Sequence, residues 1–453
     1  MTGTRDFAAV ILAAGKGTRM KSDVHKVLHP IAGRPMLDHL LGTIESLSPQ
    51  RKLVVVGSGR EQVESLVQAR GGELVVQDSQ LGTAHAVRQA EAKLADFPGD
   101  ILILFGDAPL IEAETMARML DRLHAPDSPV VVVVGCRPAD PAQYGRIVAG
   151  PDGMIEKMVE YKDATEEERN VDLCNSGLMA ARAADLFPLL ARVGNSNAAG
   201  EYYLPDIVMI AAADGRKSAV IEADPWESAG VNSRSELASL EAEWQRRRRL
   251  RAMADGVTLM APETVWFAHD TEIGRDSFIE PNVVMGPGVR IGERVVVKAF
   301  SHIEGAVIGD DAVIGPYARL RPGSQIGERA RVGNFVEVKK TRMGPGAKAN
   351  HLTYLGDSDI GANVNVGAGT ITCNYDGYFK YRTIIGEGAF IGSNSALVAP
   401  VTIGAGALVA AGSVITRDVA PDAIALARGE QVEKPGRARR FREAMAAKKA
   451  KAS

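Results

Sequence analysis

The second half of the chain has a branched apolar residue at almost every sixth position, and a glycine often follows it. A period of six fits neither an amphipathic helix nor an alternating β-strand. It is typical of the hexapeptide repeat of a parallel β-helix, in which each coil has three short sides of about six residues. We therefore predict a β-helix whose interior is filled by three runs of these residues: Ile273, Ile279, Met285, Ile291, Val297 and Ile303; Ile308, Ile314, Leu320, Ile326, Val332 and Val338; and Ile385, Ile391, Leu397, Ile403, Val409 and Ile415.

Length and charge set limits on the rest of the protein. A chain of 453 residues has room for two or three domains. Its 53 basic and 56 acidic residues leave a net charge of −3, which indicates no nucleic-acid partner. Three cysteines without metal-ligand spacing favour a reducing, cytoplasmic location. We expect no signal peptide and no membrane span, because no apolar stretch approaches about 18 residues.

The N-terminal half alternates apolar runs with segments of helical spacing, as in Met36–Leu47, Arg60–Ala69 and Thr83–Leu94. This alternation predicts a doubly wound (Rossmann-like) α/β domain that binds ligands at the C-terminal ends of its strands. The apolar runs that are typical of buried parallel strands are Phe7–Ala14, Lys52–Gly57, Glu73–Gln77, Ile101–Phe105 and Val130–Gly135.

A glycine-rich turn, Leu12–Met20, follows the first predicted strand. Its backbone N–H groups can surround an anion, and Lys16 and Arg19 add positive charge. Lys26, shortly after the turn, is a candidate second phosphate contact. The turn matches neither the P-loop nor the dinucleotide-binding motif. Taken alone, it is also compatible with an ordinary turn that has solvated cations.

Asp107 follows the predicted strand Ile101–Phe105 and should emerge at its C-terminal tip. An aspartate at such a position is often a turn or helix cap. The functional alternative is a Mg²⁺ ligand, because a hard cation that bridges triphosphate oxygens needs at least one carboxylate.

The chain changes character twice more. Residues 233–251 have roughly helical apolar spacing, which predicts a connecting helix, and the run Arg246–Arg249 is interpreted as a solvated face. From Glu433 onward the sequence is rich in Lys, Arg and Ala, which is typical of a flexible extension. We predict four segments: an α/β domain (1–229), a connecting helix (230–253), a β-helix (254–430) and a basic, flexible tail (431–453).

The repeat appears irregular between Met343 and Cys373, where it contains His351, Tyr354 and Asn365. The interval is flanked by Arg321, Lys339, Asn374 and Lys380. Cations and amides of this kind suit a phosphorylated sugar. Polar residues that interrupt a structural repeat indicate function, although loop decoration is the alternative.

Several motifs occur in the order expected for sugar-1-phosphate nucleotidylyltransferases: the turn Leu12–Met20, Gln77 with Leu81–Thr83, Phe105–Asp107, Tyr144–Ile147, Glu160, Asn175–Gly177, Glu201–Tyr203 and Gly230–Asn232. Together with the hexapeptide half, residues 7–430 resemble the family of bacterial bifunctional N-acetylglucosamine-1-phosphate uridyltransferases/glucosamine-1-phosphate N-acetyltransferases. The resemblance implies a left-handed β-helix, a cytoplasmic homotrimer, Mg²⁺, and acetyl-CoA as co-substrate. It also implies synthesis of UDP-N-acetylglucosamine for the cell wall.

In the first half, the resemblance implies that Asp107 and Asn232 bind the metal and that Arg19 and Lys26 are catalytic. Gln77, Gly82 and Thr83 correspond to residues that read uracil, and Gly145, Glu160 and Asn175 to sugar-phosphate contacts. The full set implied for UTP and UDP-N-acetylglucosamine is Leu12, Ala13, Ala14, Gly15, Lys26, Gln77, Gly82, Thr83, Gly145, Glu160, Asn175 and Asn232.

In the second half, the resemblance implies that His351 is the general base and that Asn374 orients the amine or assists the oxyanion. Cys373 offers a covalent acetyl-thiol as an alternative. The implied amino-sugar phosphate site is Arg321, Lys339, Tyr354, Asn365 and Lys380. The implied acetyl-CoA contacts are Asn374, Tyr375, Ser393, Ala411 and Arg428. Departures from the family pattern occur at Phe105 (usually Tyr), Ser176 (usually Thr) and Ala427 (often Ser).

The expected reactions are acetyl transfer from acetyl-CoA to glucosamine-1-phosphate, followed by Mg²⁺-dependent uridylyl transfer from UTP to N-acetylglucosamine-1-phosphate with release of pyrophosphate. The alternative is a single-function nucleotidylyltransferase whose β-helix is only a trimerisation scaffold. That alternative leaves the polar cluster around His351 unexplained.

Overall fold

The computed structural model describes residues 6–15, 17–141 and 143–452, so the predicted cation Lys16 lies outside the described residues. The chain divides into two compact units, Met1–Arg248 and Arg249–Ser453, and the division falls inside the predicted connecting helix. No helix among the described residues is both long and apolar enough to cross a membrane.

The first unit alternates strands and helices. Its strands are β1 (Phe7–Ala13), β2 (Pro30–Ile31), β3 (Arg34–Pro35), β4 (Arg51–Val56), β5 (Glu73–Val76), β6 (Asp100–Phe105), β7 (Val131–Cys136), β8 (Arg146–Ala149), β9 (Ile155–Val159), β10 (Cys174–Arg182) and β11 (Ala219–Glu222). Its helices are α1 (Met36–Glu45), α2 (Glu61–Ala69), α3 (Thr83–Arg88), α4 (Glu91–Leu94), α5 (Ala113–Leu123), α6 (Glu166–Arg169), α7 (Ala183–Leu190) and α8 (Asp206–Ala213), and α9 (Arg234–Ala254) continues past its end.

The main sheet has the strand order β11-β7-β10-β6-β1-β4-β5. β1 lies inside the sheet, between β6 and β4 and parallel to both, and every β1 residue is buried. Alternate β1 residues enter two separate apolar clusters, for example Val10 in one and Ile11 in the other, so both faces of the sheet are covered. The predicted doubly wound domain is confirmed. The sequence did not predict β10, which lies antiparallel between β6 and β7.

The second unit is built from very short strands: β12 (Thr258–Leu259), β13 (Glu272–Ile273), β14 (Phe278–Ile279), β15 (Val284–Met285), β16 (Arg290–Ile291), β17 (Val296–Val297), β18 (His302–Ile303), β19 (Ala306–Ile308), β20 (Val313–Ile314), β21 (Arg319–Leu320), β22 (Ser324–Ile326), β23 (Arg331–Asn334), β24 (Glu337–Lys339), β25 (Arg342–Met343), β26 (Lys348–His351), β27 (Tyr354–Gly356), β28 (Ser358–Ile360), β29 (Asn365–Val366), β30 (Ile371–Cys373), β31 (Thr383–Ile385), β32 (Phe390–Ile391), β33 (Ala396–Val398), β34 (Val401–Ile403), β35 (Leu408–Val409), β36 (Val414–Ile415) and β37 (Ile424–Ala425).

These strands form three parallel sheets, and each coil contributes one strand to each sheet. All residues of the three predicted runs except Ile273 are buried, one to a strand, so three columns of apolar residues run along the coil. One column includes Ile314, Val332 and Val366, each directly opposite the next coil in register. The repeat therefore corresponds to the three faces of a parallel β-helix, as predicted.

The apparent irregularity between Met343 and Cys373 is not a break in the coil, and that part of the sequence interpretation is wrong. Strands β25 to β30 stay in register there, and Ala349 and Thr372 occupy interior positions where the repeat usually has a branched apolar residue. The Thr372 hydroxyl accepts a hydrogen bond from the Gly356 N–H at 2.8 Å, which makes a polar interior residue acceptable. The interruption is instead residues 374–382, between β30 and β31.

The glycines that follow the interior residues serve close packing between coils. A Cβ on Gly327 would lie 2.8 Å from the Gly344 carbonyl carbon, and one on Gly361 would lie 2.5 Å from the Glu387 nitrogen. Neither glycine has a positive φ, so neither makes a corner of the coil through a left-handed conformation. Corners of this β-helix are instead made by residues with positive φ, such as Asn363 and Asn394.

Helix α10 (Arg437–Ala450) occupies the basic tail, and all of its residues are exposed. Helix formation without burial is compatible with the predicted extension, whose flexibility stays a prediction.

Candidate active sites

A cleft of about 330 Å³ opens at the C-terminal edge of the first unit's sheet, where β1, β5 and β6 end. Its walls combine the glycine-rich turn, the loop that leads into α3, and the tip of β6. The cleft brings together these predicted residues: Leu12, Ala13, Ala14, Gly15, Lys26, Gln77, Gly82, Thr83 and Asp107. It also contains Phe105 and Glu201, which belong to the family motifs, and three residues that the sequence did not single out: Val27, Gln80 and Ala86.

The loop before α3 is held by the segment around Tyr202. The Tyr202 N–H donates to the Leu81 carbonyl at 2.8 Å, and the Ala84 N–H donates to the Tyr202 carbonyl at 2.9 Å. Gly82 between them has φ = 121°, and a Cβ there would lie 2.7 Å from the Tyr202 nitrogen. Both the backbone conformation and the close approach require glycine. The loop therefore presents its backbone to the cleft in one conformation.

Lys26 connects the two predicted metal ligands. Its ammonium forms an ion pair with the Asp107 carboxylate and donates to the Asn232 side-chain oxygen at 3.0 Å. Asp107 and Asn232 are far apart in sequence, but their oxygens converge on one cation. Among the described residues, no group of three or more His, Cys, Asp or Glu side chains could hold a metal. A carboxylate plus an amide oxygen is nevertheless a donor set that fits Mg²⁺ completed by phosphate oxygens and water.

A capping box at the start of α9 positions Asn232. The Glu236 carboxylate accepts from the Ser233 N–H at 2.9 Å, and the Ser233 hydroxyl accepts from the Glu236 N–H at 3.3 Å. The same carboxylate accepts from the Asn232 N–H at 2.6 Å. The preceding Val231 N–H donates to the Asp107 carbonyl at 2.9 Å. The helix start and the tip of β6 are therefore joined directly beside the candidate metal ligands.

The three predicted sugar-phosphate contacts lie together on the β8–β10 side of the sheet. The Asn175 N–H donates to the Gly145 carbonyl at 2.9 Å, and a Cβ on Gly145 would lie 3.4 Å from a Glu160 carboxylate oxygen. Burial raises the pKa of Glu160 above its ordinary value, and the nearby Asp206 and Asp163 raise it further. The half-buried Glu160 carboxyl therefore holds a proton more readily than an ordinary glutamate does.

Arg19 is exposed on the short 3₁₀ turn Thr18–Met20, and it is not among the residues that line the cleft. Two departures from the family pattern can be placed. Phe105 lines the cleft, and a Cβ on Gly177 would lie 2.8 Å from a carbon of the Phe105 ring. The Ser176 hydroxyl donates to the Val134 carbonyl at 2.6 Å, at the irregular pairing between β10 and β7.

In the second unit, His351 is the last residue of β26. Its Nδ1 lies 2.6 Å from the side-chain oxygen of Asn334, which ends the neighbouring strand β23 directly opposite. An amide oxygen accepts hydrogen bonds, so Nδ1 carries the proton and Nε2 keeps its lone pair. The exposed ring therefore offers one basic nitrogen to solvent.

A cationic cluster of Arg321, Lys339 and Lys380 lies near the end of β24, the strand that pairs with the one containing Tyr354. Lys380, in the 374–382 insertion, lowers the pKa of Lys339 through its neighbouring ammonium, and desolvation and then Arg321 lower it further. Arg321 forms an ion pair with Glu337 at 2.9 Å. Crowded ammonium and guanidinium groups of this kind favour a bound phosphate, which relieves their repulsion.

Asn374 and Tyr354 approach this cluster through a gap left by a glycine. The Asn374 amide donates to the Asp357 carboxylate at 2.6 Å, and Asp357 has φ = 48°. A Cβ on Gly356 would lie 2.8 Å from the Asn374 side-chain nitrogen and would also clash with the Tyr354 hydroxyl. Asn374 is buried, whereas Tyr375 is exposed with its ring 5.5 Å from the Lys380 ammonium.

The predicted acetyl-CoA contacts follow His351 along the coil. The Gly412 N–H donates to the Ser393 carbonyl at 2.8 Å, and the Arg428 guanidinium donates to the Ala411 carbonyl at 2.7 Å. Ala427 donates its N–H to the Ser413 hydroxyl at 3.3 Å. Asn365 lies on β29, the strand beside the one that ends at His351.

Sequence reasoning assigned no role to Asn334, Asp357 or Gln80. Asn334 orients His351, Asp357 holds Asn374, and Gln80 donates its side-chain amide to the Ala14 carbonyl. The sequence contains no local signal for these contacts, because each joins residues in different segments. Only the coil register and the sheet order bring them together.

Comparisons with known proteins agree with this architecture. The MobA-like NTP transferase domain matches residues 9–173. The bacterial transferase hexapeptide (six repeats) matches residues 270–305, 305–340 and 382–417, which supports a left-handed β-helix. Among relatives named "Bifunctional protein GlmU", that of Rhizorhabdus wittichii is 68% identical over 98% of this chain and 99% of its own length. The chain belongs to the GlmU family of bifunctional proteins.

Relatives of the same name from Sphingopyxis alaskensis and Zymomonas mobilis are 63% and 58% identical over 98% of this chain, and over 98% and 99% of their own lengths. At this level the predicted uridyltransferase and acetyltransferase activities are confirmed, as is the use of Mg²⁺ and acetyl-CoA. Membership of a bifunctional family disfavours the single-function alternative. A crystal structure of UDP-glucose pyrophosphorylase with UDP-glucose aligns with a TM-score of 0.44 at 16% identity, over 54% of this chain and 100% of that chain. That likeness is too low to establish a shared fold.

Proposed function

We propose that the cleft of the first unit transfers a uridylyl group from UTP to N-acetylglucosamine-1-phosphate. The observation that supports this assignment is the convergence of Asp107 and Asn232 on the Lys26 ammonium. These two side chains would hold Mg²⁺, which when bound neutralises triphosphate charge and orients it for attack. We further propose that Leu12–Gly15, Gln77, Gly82 and Thr83 bind the nucleotide.

The sugar-1-phosphate oxygen attacks the α-phosphorus of UTP; a P–O bond forms and the bond to pyrophosphate breaks. The nucleophile is already anionic, so no residue has to remove a proton. Lys26, which faces the cleft, and Arg19 and Lys16 on the glycine-rich turn supply positive charge. Gly145, Glu160 and Asn175 orient the sugar phosphate. Most of the rate enhancement then comes from positioning and charge neutralisation.

The test is Asp107→Ala. We expect uridylyl transfer to be abolished because the only carboxylate of the proposed ligand pair is gone, while acetyl transfer by the same protein continues. Pyrophosphate release and CoA release are measured on one preparation. Asp96→Ala, at an exposed aspartate of the same unit, is the control. Near-normal uridylyl transfer by Asp107→Ala would contradict the assignment.

For the second unit we propose acetyl transfer from acetyl-CoA to the amine of glucosamine-1-phosphate. Arg321, Lys339 and Lys380 bind the phosphate, and Tyr354 and Asn365 contact the same substrate. The amine attacks the thioester carbonyl; a C–N bond forms, the C–S bond breaks, and the thiolate leaves as CoA. His351 Nε2 takes the proton that the amine loses, while Nδ1–H remains bound to Asn334.

In the same proposal, Asn374 orients the amine or assists the oxyanion, and Tyr375, Ser393, Ala411 and Arg428 contact acetyl-CoA. Removal of the base tests it, because general-base assistance is typically worth about 10²–10⁴-fold. His351→Ala should therefore lower the rate of CoA release by that factor with little change in KM. His302→Ala, at an exposed histidine of the same β-helix, should retain full activity. A His351→Ala enzyme within about threefold of wild type would exclude His351 as the base.

We also propose a cytoplasmic homotrimer. The hexapeptide repeats support assembly of the chain into oligomers. The second unit further exposes a ladder of stacked aromatic rings, Phe300, Tyr317 and Phe335, with centroids 5.0 and 5.2 Å apart. Light scattering of the purified protein should give the mass of three chains; a monomer would contradict the proposal.

A further inference from the structure

His85, on α3, has no role in the proposed reaction, yet its ring lies against a residue that does. Its Nδ1 is 3.0 Å from the side-chain nitrogen of Gln77. Gln77 lines the cleft, is only 3% exposed, and is the side chain assigned to the nucleotide base. The orientation of the Gln77 amide therefore decides which hydrogen-bonding group the base meets.

The protein itself determines this orientation. The Gln77 side-chain nitrogen also lies 3.2 Å from the Gly82 carbonyl oxygen. A carbonyl oxygen only accepts hydrogen bonds, so the Gln77 atom that faces it must be the amide nitrogen. The amide then donates one N–H to Gly82 and the other to His85. Its oxygen, Oε1, is the group that remains for the nucleotide.

This arrangement requires a lone pair on His85 Nδ1, and hence a proton on Nε2. Gln89 competes for the same ring, since its amide nitrogen lies 3.2 Å from Nε2 and 2.9 Å from the His85 carbonyl. A neutral imidazole has one acceptor nitrogen, so only one of the two amides can donate to the ring. The Gln77 contact is the shorter one, and Gln77 is buried whereas Gln89 is half-buried. These differences favour the bond to Gln77.

An acceptor such as Oε1 discriminates between pyrimidines. The uracil ring presents an N3–H donor between its two carbonyl oxygens, whereas cytosine presents a bare N3 acceptor at that position. Oε1 would accept a hydrogen bond from uracil, but it would face another lone pair on cytosine. A buried acceptor left unpaired in this way is a strong basis for rejecting the wrong ligand.

We propose that His85 is a positioning residue that sets nucleotide selectivity: its Nδ1 lone pair holds the Gln77 amide with Oε1 toward the cleft, so that UTP is accepted and CTP rejected. The inference rests on the proposed uridylyl-transfer site. Without His85, the amide can rotate whenever the bond to Gly82 breaks, and its N–H can then serve cytosine.

The experiment measures kcat/KM for UTP and for CTP in wild type, His85→Ala, His85→Asn and Gln77→Ala. His85→Ala should lower the UTP/CTP ratio roughly 10-fold or more, the size expected when one buried partner is lost. His85→Asn should keep the ratio within about threefold, because the asparagine oxygen can replace Nδ1 as an acceptor. Acetyl transfer and the thermal unfolding midpoint, measured on each variant, report on folding.

Four outcomes overturn the proposal. If Gln77→Ala lowers the ratio but His85→Ala does not, the His85 role is wrong and the base-reading role of Gln77 stands. If neither variant changes the ratio, the assignment of Gln77 to the base fails as well. If His85→Asn loses as much selectivity as His85→Ala, or if His85→Ala slows both nucleotides equally, His85 acts only through folding.

Discussion

The two candidate sites are assembled in different ways. In the first unit, Lys26, Asp107 and Asn232 come from three distant segments and meet only because the tip of β6 is joined to the start of α9. In the second unit, His351 meets Asn334 because the two residues end neighbouring strands of one sheet. The first site therefore depends on long-range closure, and the second on the register of a repeating coil.

The difference also appears in how each site concentrates charge. Glu160 lies near Asp206 and Asp163, and its pKa is raised by burial first and by these acids second. Lys339 lies beside Lys380, which lowers its pKa. Like charges held together are costly until a ligand neutralises them. The acidic group suits sugar hydroxyls or a bridging cation, and the cationic group suits a phosphate.

The largest effect should come from disturbing the coil register. Ala349 is a fully buried interior residue on the strand that ends at His351. Ala349→Leu overfills this interior and should cost about 1–3 kcal/mol of unfolding free energy. A shift of His351 by about 1 Å can cost up to about 100-fold in acetyl transfer. Uridylyl transfer by the same protein should not change.

Both activities and a thermal unfolding curve measure this prediction. Ile279→Leu, an interior substitution that keeps the side-chain volume in a coil without predicted site residues, is the control. If Ala349→Leu unfolds at a lower temperature yet retains acetyl transfer, the second site does not depend on the register of the coil.

A smaller effect should follow from loosening the closure of the first site. Ser233→Ala removes the hydroxyl of the capping box that positions Asn232, a loss typically worth about 1 kcal/mol. We expect the Mg²⁺ concentration for half-maximal uridylyl transfer to rise about fivefold, with acetyl transfer unchanged. Ser239→Ala, at an exposed serine of the same helix that lies outside the capping box, is the matched control. Equal Mg²⁺ dependence in both variants would show that Asn232 does not rely on the cap.

The smallest effect concerns pH. The pKa of Glu160 is raised above its ordinary 4.5 in the folded protein. Protonated Glu160 therefore favours folding below that ordinary pKa, and this contribution is lost as the pH rises through the raised value. Glu160→Gln removes the titrating group. The unfolding free energy of the variant should fall less than that of wild type over this pH window.

Urea unfolding midpoints of the two proteins, measured from below pH 4.5 upward, test the sign. Glu201→Gln, at an exposed acid of the first unit, is the control and should follow wild type. Parallel curves for Glu160→Gln and wild type would mean that folding does not change how tightly Glu160 binds its proton.

Much of the fold follows from local sequence patterns. The six-residue repeat identifies the interior columns of the β-helix because every coil repeats the same environment, so the pattern itself encodes the register. Buried strands such as β1 and β6 are visible as apolar runs, since both faces of the sheet are covered. Asp107 at the tip of β6 follows from the same reasoning. β10 escaped prediction because Ser176 and Gly177 interrupt its apolar pattern.

The sites themselves were decided by tertiary structure. No local pattern states that Asn232 would meet Lys26, that Gln77 would lie between Gly82 and His85, or that Asp357 would hold Asn374. Hydrogen bonds between distant side chains depend on how whole segments pack, and packing is not written in any window of the sequence. The sequence by itself determined the two folds, and it supplied the candidate residues of the sites as predictions. The tertiary structure determined which atoms of those residues are brought together.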